Sequence, residues 1–129
     1  MNLITKNVKQ IKNTLCTDIS LVAATKTRTI EEIKNAVKSG IKIIAENRIQ
    51  EAADKYKKLK LFFKNKKVEF HFIGHLQSNK AKYAVMMFDM IQTIDSVKLA
   101  EKVDKTAKEI NKVQNILIDV NIVMEKQKY

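Results

Sequence analysis

The chain has 129 residues, 45% apolar and 30% charged, with a formal charge of +11 from 25 Lys+Arg against 14 Asp+Glu. Those proportions describe a single globular domain over 1–129 with a core, and exclude a disordered chain. One cysteine, Cys16, excludes an intrachain disulfide or cysteine metal cluster, and the two histidines add no metal-ligand spacing. No 18-residue apolar stretch or secretory segment is present, so a soluble cytoplasmic protein is expected.

Apolar periodicity puts Leu3, Ile4, Val8, Ile11 and Leu15 on one face of a helix over 2–15. Residues 20–25 read as a short buried strand that ends in Lys26. Thr29-Ile30-Glu31-Glu32 has the form of a capping box, with Ile30, Ile33, Ala36 and Val37 lining the helix behind it and Gly40 closing it. A strand over 41–45 and a helix over about 48–63 follow. The lysine-dense run from Lys55 to Lys67 falls on that helix and the turn after it. Phe62 and Phe63 read there as core and the lysines as a solvated face. Lys34, Lys38, Lys102, Lys105 and Lys108 spread the excess charge along the chain, so nucleic acid is not the expected partner.

Residues 68–73 form the next strand, Gly74 begins a loop, and Ser78 is expected to cap a helix running through Phe88. A strand over 90–94 precedes a helix capped by Asp95 or Ser96 and carrying Val97, Leu99, Ala100, Val103, Ala107 and Ile110. Residues 115–122 read as a fifth strand.

The resulting order, a helix and then alternating strands and helices, is that of an α/β fold with parallel (β/α) repeats, each crossover being long enough. An open doubly wound sheet and a (β/α)8 TIM-type barrel compete. The first strand has no glycine-rich phosphate loop after it, which disfavours a dinucleotide fold. A whole barrel needs eight strands and about 250 residues, so about five strands make a partial one, ordered 1-2-3-4-5 with helices on one side.

Active sites in such folds lie at the carboxyl ends of the strands. Those ends carry Lys26; Glu46 and Asn47; Ile73, Gly74 and His75; Thr93 and Asp95; and Asn121. An amine half out of water is disfavoured in its charged form and can condense with an aldehyde as a Schiff base. Lys26 is otherwise an ordinary solvated lysine. Asn47 and Asp95 read equally as helix caps, Gly74 as a turn glycine or one that admits a ligand, and His71 as a packed histidine or a base.

Ala24-Thr25-Lys26-Thr27-Arg28, Ala45-Glu46-Asn47-Arg48-Ile49-Gln50-Glu51 and the ten residues His71-Phe72-Ile73-Gly74-His75-Leu76-Gln77-Ser78-Asn79-Lys80 resemble the pyridoxal phosphate homeostasis proteins, relatives of the N-terminal barrel of alanine racemase. Thr93-Ile94-Asp95-Ser96, Asp119-Val120-Asn121-Ile122, Glu125 and Lys128 extend the resemblance along nearly the whole chain. It implies a cytoplasmic, non-enzymatic protein that holds pyridoxal 5′-phosphate (PLP) as a Schiff base on Lys26. Asn47, His71, Gly74 and Asn121 would belong to the pocket, and Lys128 would be a further lysine of the family pattern. Ala45 stands where the family usually has glycine, and Thr29 where it often has proline.

The chain is much shorter than the family's barrel, which runs past 200 residues. The resemblance therefore implies a C-terminally truncated domain without the phosphate-binding loops, and weak PLP binding. A racemase would need a second base from a further domain. The other readings are a half-barrel that assembles with a second copy or with a separately encoded C-terminal half, and a truncated product without function. An unclosed barrel should expose apolar residues on its inner face, drawn from Val22, Ile43, Phe70, Phe72, Ile91 and Ile118, and should self-associate.

Overall fold

A computed structural model describes residues 1–123. Eleven elements follow in order: α1 (Leu3–Asn13), β1 (Val22–Ala24), α2 (Ile30–Lys38), β2 (Ile43–Glu46), α3 (Ile49–Lys66), β3 (Glu69–Phe72), a 3-10 turn (Ser78–Lys80), α4 (Ala81–Met87), β4 (Met90–Ile94), α5 (Val97–Glu109) and β5 (Asn115–Ile118). The five strands form one parallel sheet in the order β1-β2-β3-β4-β5. Each helix packs on the next, which gives an arc of a (β/α)8 barrel with its helices on one side.

Local chemistry sets the helix ends. Asn2 caps α1 by accepting from the Thr5 N–H at 2.8 Å. Thr29 and Glu32 form the reciprocal capping box of α2. Ser39 ends that helix, and Gly40 follows at φ 111°, a left-handed conformation that glycine adopts without a Cβ clash. Ser96 rather than Asp95 caps α5, accepting from the Leu99 N–H at 3.1 Å.

Three expectations change. Ser78 does not cap α4: residues 78–80 make a 3-10 turn, with the Lys80 N–H on the Gln77 carbonyl at 2.9 Å, and α4 starts at Ala81. α3 runs one turn beyond Phe63 and stops where Lys67 turns left-handed at φ 56°. β5 stops at Ile118, because its ladder partner β4 ends at Ile94 opposite it. One more bond, from the Asp119 N–H to the Ile94 carbonyl, closes the pairing.

The core lies between sheet and helices. Phe70 stacks on Tyr56 with ring centroids 5.8 Å apart, and meets Phe63 at 5.4 Å and Phe88 at 4.8 Å; Phe72 meets Phe88 at 5.2 Å. Such ring pairs add about 0.5–1.5 kcal/mol beyond the area they bury. This placement corrects the expected inner-face set, which mixed two faces. Phe70, Phe72 and Ile91 are at most 2% exposed under the helices. Val22 and Ile43 occupy the opposite face, in register with Glu69.

That inner face is largely polar in its middle. His71 is buried there, one ring nitrogen 3.0 Å from Glu69 Oε1 and the other 2.9 Å from the Gln92 amide nitrogen. Val22 is exposed on that face, and β5 adds further apolar exposure, all four of its residues being exposed. At the other edge, α1 flanks β1 across an open groove of about 320 Å³.

Candidate functional site

The carboxyl ends of β1, β2 and β3 meet around a small concavity of about 140 Å³ lined by Ala24, Lys26, Ala45, Asn47 and Ile73. Strand alternation accounts for the set. Thr25 points to the helix side and is 4% exposed, which leaves Ala24 and Lys26 to the inner face. Ala24 is in register with Ala45, so two methyl groups form the floor and leave room above it.

Lys26 is exposed rather than half out of water, so the burial expected at the strand end is not what this site supplies. Its turn is well fixed: the Arg28 N–H donates to the Thr25 carbonyl at 3.0 Å, and Thr27 sits at φ 63°. Asn47 is not a helix cap, because Arg48 holds the N-cap position of α3. Among the described residues the buried Asn47 Oδ1 has no hydrogen-bond partner.

Gly74 lies against the backbone of Asn47. A Cβ there would lie 2.1 Å from the Asn47 carbonyl oxygen and 2.8 Å from the Asn47 Cα. The backbone that glycine admits is therefore that of Asn47. Gly74 is held in turn, its carbonyl accepting from Thr93 Oγ1 at 2.5 Å. His71 lies one step down the inner face, in register with Ala45, and is the packed histidine of the two readings. Asp95 lies 3.8 Å from His75 Nδ1.

Of the five expected pocket residues, the structure brings Lys26 and Asn47 together. His71 and Asn121 lie outside the lining of the concavity, Asn121 being exposed beyond β5. Glu125 and Lys128 lie outside the described residues. Asn47 also borders a larger cleft of about 530 Å³ whose basic side chains are Arg48, His75 and Lys80.

A buried charged cluster under Lys26 went unread. Lys55 is 8% exposed, and its ammonium reaches the Thr25 carbonyl at 2.6 Å, Glu46 Oε2 at 2.9 Å and Glu51 Oε2 at 2.7 Å. The Thr25 hydroxyl also bonds Glu46 Oε2. Glu46 is fully buried, and its Oε1 has no partner among the described residues. The Lys55 hydrogen bond, followed by the Thr27 N–H, holds the Glu51 carboxyl below its ordinary range. Lys55 is thus no member of a solvated face. The signal was its spacing, since Ala52, Lys55, Leu59 and Phe63 share the buried face of α3.

The alanine racemase N-terminal domain model matches residues 1–127. The pyridoxal phosphate homeostasis protein of Synechocystis is 39% identical over 119 residues, covering 92% of this chain and 53% of the relative. That of Aquifex aeolicus is 40% identical over 108 residues, covering 84% of this chain and 46% of the relative. The structure of PipY from Synechococcus elongatus with PLP bound superposes with a TM-score of 0.88 at 31% identity, over 95% of this chain and 56% of PipY. An alanine racemase of Clostridium difficile shares the fold, with a TM-score of 0.70 at 16% identity over 88% of this chain and 29% of the racemase. The chain spans about half the length of the curated relatives it matches.

Proposed function

This chain belongs to the alanine racemase N-terminal domain family, and we propose that it binds PLP in the manner of the homeostasis proteins, with a Schiff base on Lys26. The observation that carries this reading is the concavity at the ends of β1, β2 and β3. There the Lys26 amine shares a site with Asn47, whose buried Oδ1 has no hydrogen-bond partner among the described residues, above two alanines. PLP supplies an aldehyde, which forms a carbon–nitrogen double bond with an amine and releases water. Lys26 provides the amine, Asn47 offers an acceptor that orients a donor, and Ala24 and Ala45 leave space for a flat ring. The names of the homeostasis relatives and the PLP-bound PipY structure support the choice of cofactor.

No catalysed reaction forms part of this reading. A racemase moves protons on both faces of its substrate, whereas His71, further down the same face, has both ring nitrogens engaged by Glu69 and Gln92. We assign the main phosphate contacts to the part of the family barrel this chain does not match. Each charge-assisted contact is worth about 1.5–3 kcal/mol, so the isolated chain binds PLP weakly. A second reading, assembly with a polypeptide that covers β5, is favoured by one observation: Ile116, Leu117 and Ile118 are 37%, 49% and 73% exposed on that strand.

The test is to titrate the full chain with PLP, trap with borohydride and map the labelled peptides. Lys26 should carry most of the label at low PLP, and Lys26→Ala should remove that share. Unchanged total labelling in Lys26→Ala would refute the anchor. A tight stoichiometric complex would instead move the phosphate to the Arg48, His75 and Lys80 cleft.

A further inference from the structure

Both peptide units flanking Lys26 are bound to charged side chains from α3. The Thr25 carbonyl accepts from the Lys55 ammonium at 2.6 Å, and the Thr27 N–H donates to Glu51 Oε2 at 2.6 Å. Lys55 and Glu51 are themselves paired at 2.7 Å, and Lys55 also pairs with Glu46 at 2.9 Å. An ammonium has three protons, and each has an acceptor here, so the direction of the group is fixed. Thr27 is held at φ 63°, a conformation that a β-branched residue avoids unless its surroundings impose it.

We propose that Glu51 and Lys55 are positioning residues for Lys26. They hold the two peptide planes beside it, so that its side chain leaves the turn on the inner face of the sheet, toward the alanine floor and Asn47. The inference rests on the reading of Lys26 as the PLP anchor. Without the Glu51 carboxylate, the Thr27 amide loses its acceptor and the turn relaxes from the left-handed conformation. The Lys26 amine is then presented over a wide arc, as any surface lysine is. Glu51 is suited to this because it bridges the buried ammonium and the exposed turn, with its own side chain 27% exposed.

The test compares wild type with Glu51→Ala and Glu51→Gln, since glutamine keeps an oxygen where the Thr27 N–H can reach it. The first readout needs no cofactor: amide hydrogen exchange at Thr27. Glu51→Ala should speed it by at least about tenfold, the loss of one charge-assisted bond, while amides of β2 and β3 stay protected. Glu51→Gln should keep most of the protection. The second readout is the share of borohydride-trapped PLP on Lys26, which should fall in Glu51→Ala by a similar factor and largely survive in Glu51→Gln. Unchanged Thr27 exchange in Glu51→Ala, or a Lys26 share that survives it, overturns the positioning role alone. A wild type that labels its lysines without preference overturns the anchor and this inference with it.

Discussion

Replacing Lys55 by methionine would show how far the chain depends on one buried charge. Methionine is a flexible, unbranched replacement, so the loss is chiefly electrostatic. Three bonds go, at 2.6, 2.7 and 2.9 Å, but their acceptors fare differently. Glu51 is 27% exposed and meets water, and the Thr25 carbonyl keeps the Arg28 N–H at 3.0 Å. Among the described residues Glu46 is left fully buried with only the Thr25 hydroxyl, its Oε1 already lacking a partner there. The expected cost is that of stranding one buried carboxylate, about 3–5 kcal/mol, rather than three separate bonds. Adding Glu46→Gln to Lys55→Met removes the stranded charge and should recover about 1–3 kcal/mol. Urea unfolding followed by circular dichroism measures both. A pH series adds a signed check. The carboxyl of Glu51 is depressed in the folded state, chiefly by Lys55. Its stabilisation is therefore present above the ordinary value of 4.5 and is lost as pH falls through the lower folded value. Lys55→Met should flatten that acid loss. A Lys55→Met protein within about 1 kcal/mol of wild type would refute the buried-charge reasoning.

Gly74→Ala should lower stability by about 1–3 kcal/mol, since the new methyl would lie 2.1 Å from the Asn47 carbonyl oxygen, and backbone must move to admit it. A wild-type melting temperature would show that no such close approach exists. The isolated chain should self-associate through β5, and Ile118→Lys, at a side chain 73% exposed, should lower its sedimentation coefficient without lowering its stability. An unchanged coefficient would place the contact elsewhere.

Element order was legible because its signals are local. The Thr29–Glu32 box, Gly40 and the apolar runs between them each act within a few residues. Which face a strand buries was less legible at β1 and the start of β2, where Val22-Ala23-Ala24 and Ile43-Ile44-Ala45 are apolar on both faces and show no period of two. Glu69 and His71, alternating with Phe70 and Phe72, were the polar markers of the inner face of β3. Lys26 and Asn47 were singled out through the motifs around them, and the structure brings the two together. The partner of Gly74 is the backbone of Asn47, brought near only by the pairing of β2 with β3. Lys55 was hidden by composition, since one buried lysine among 25 basic residues looks like its neighbours until its helical face is counted.

Every strand of this sheet pairs with the strand that follows it in the chain. No pairing waits for a segment more than one crossover away, so each step closes a short loop at modest entropic cost. During synthesis β1 and β2 can join as soon as Glu46 has emerged, and each later βα unit is laid on an edge already built. Each pairing still spans 19 to 26 residues, as in Met90 with His71 and Glu69 with Ile43, so every step waits for a whole crossover helix to form. This strand order also makes the aggregation hazard a moving one. Apart from the edge of β1, which α1 flanks, only the newest strand is open at any moment, so a chaperone or a neighbouring nascent chain meets one fresh edge at a time.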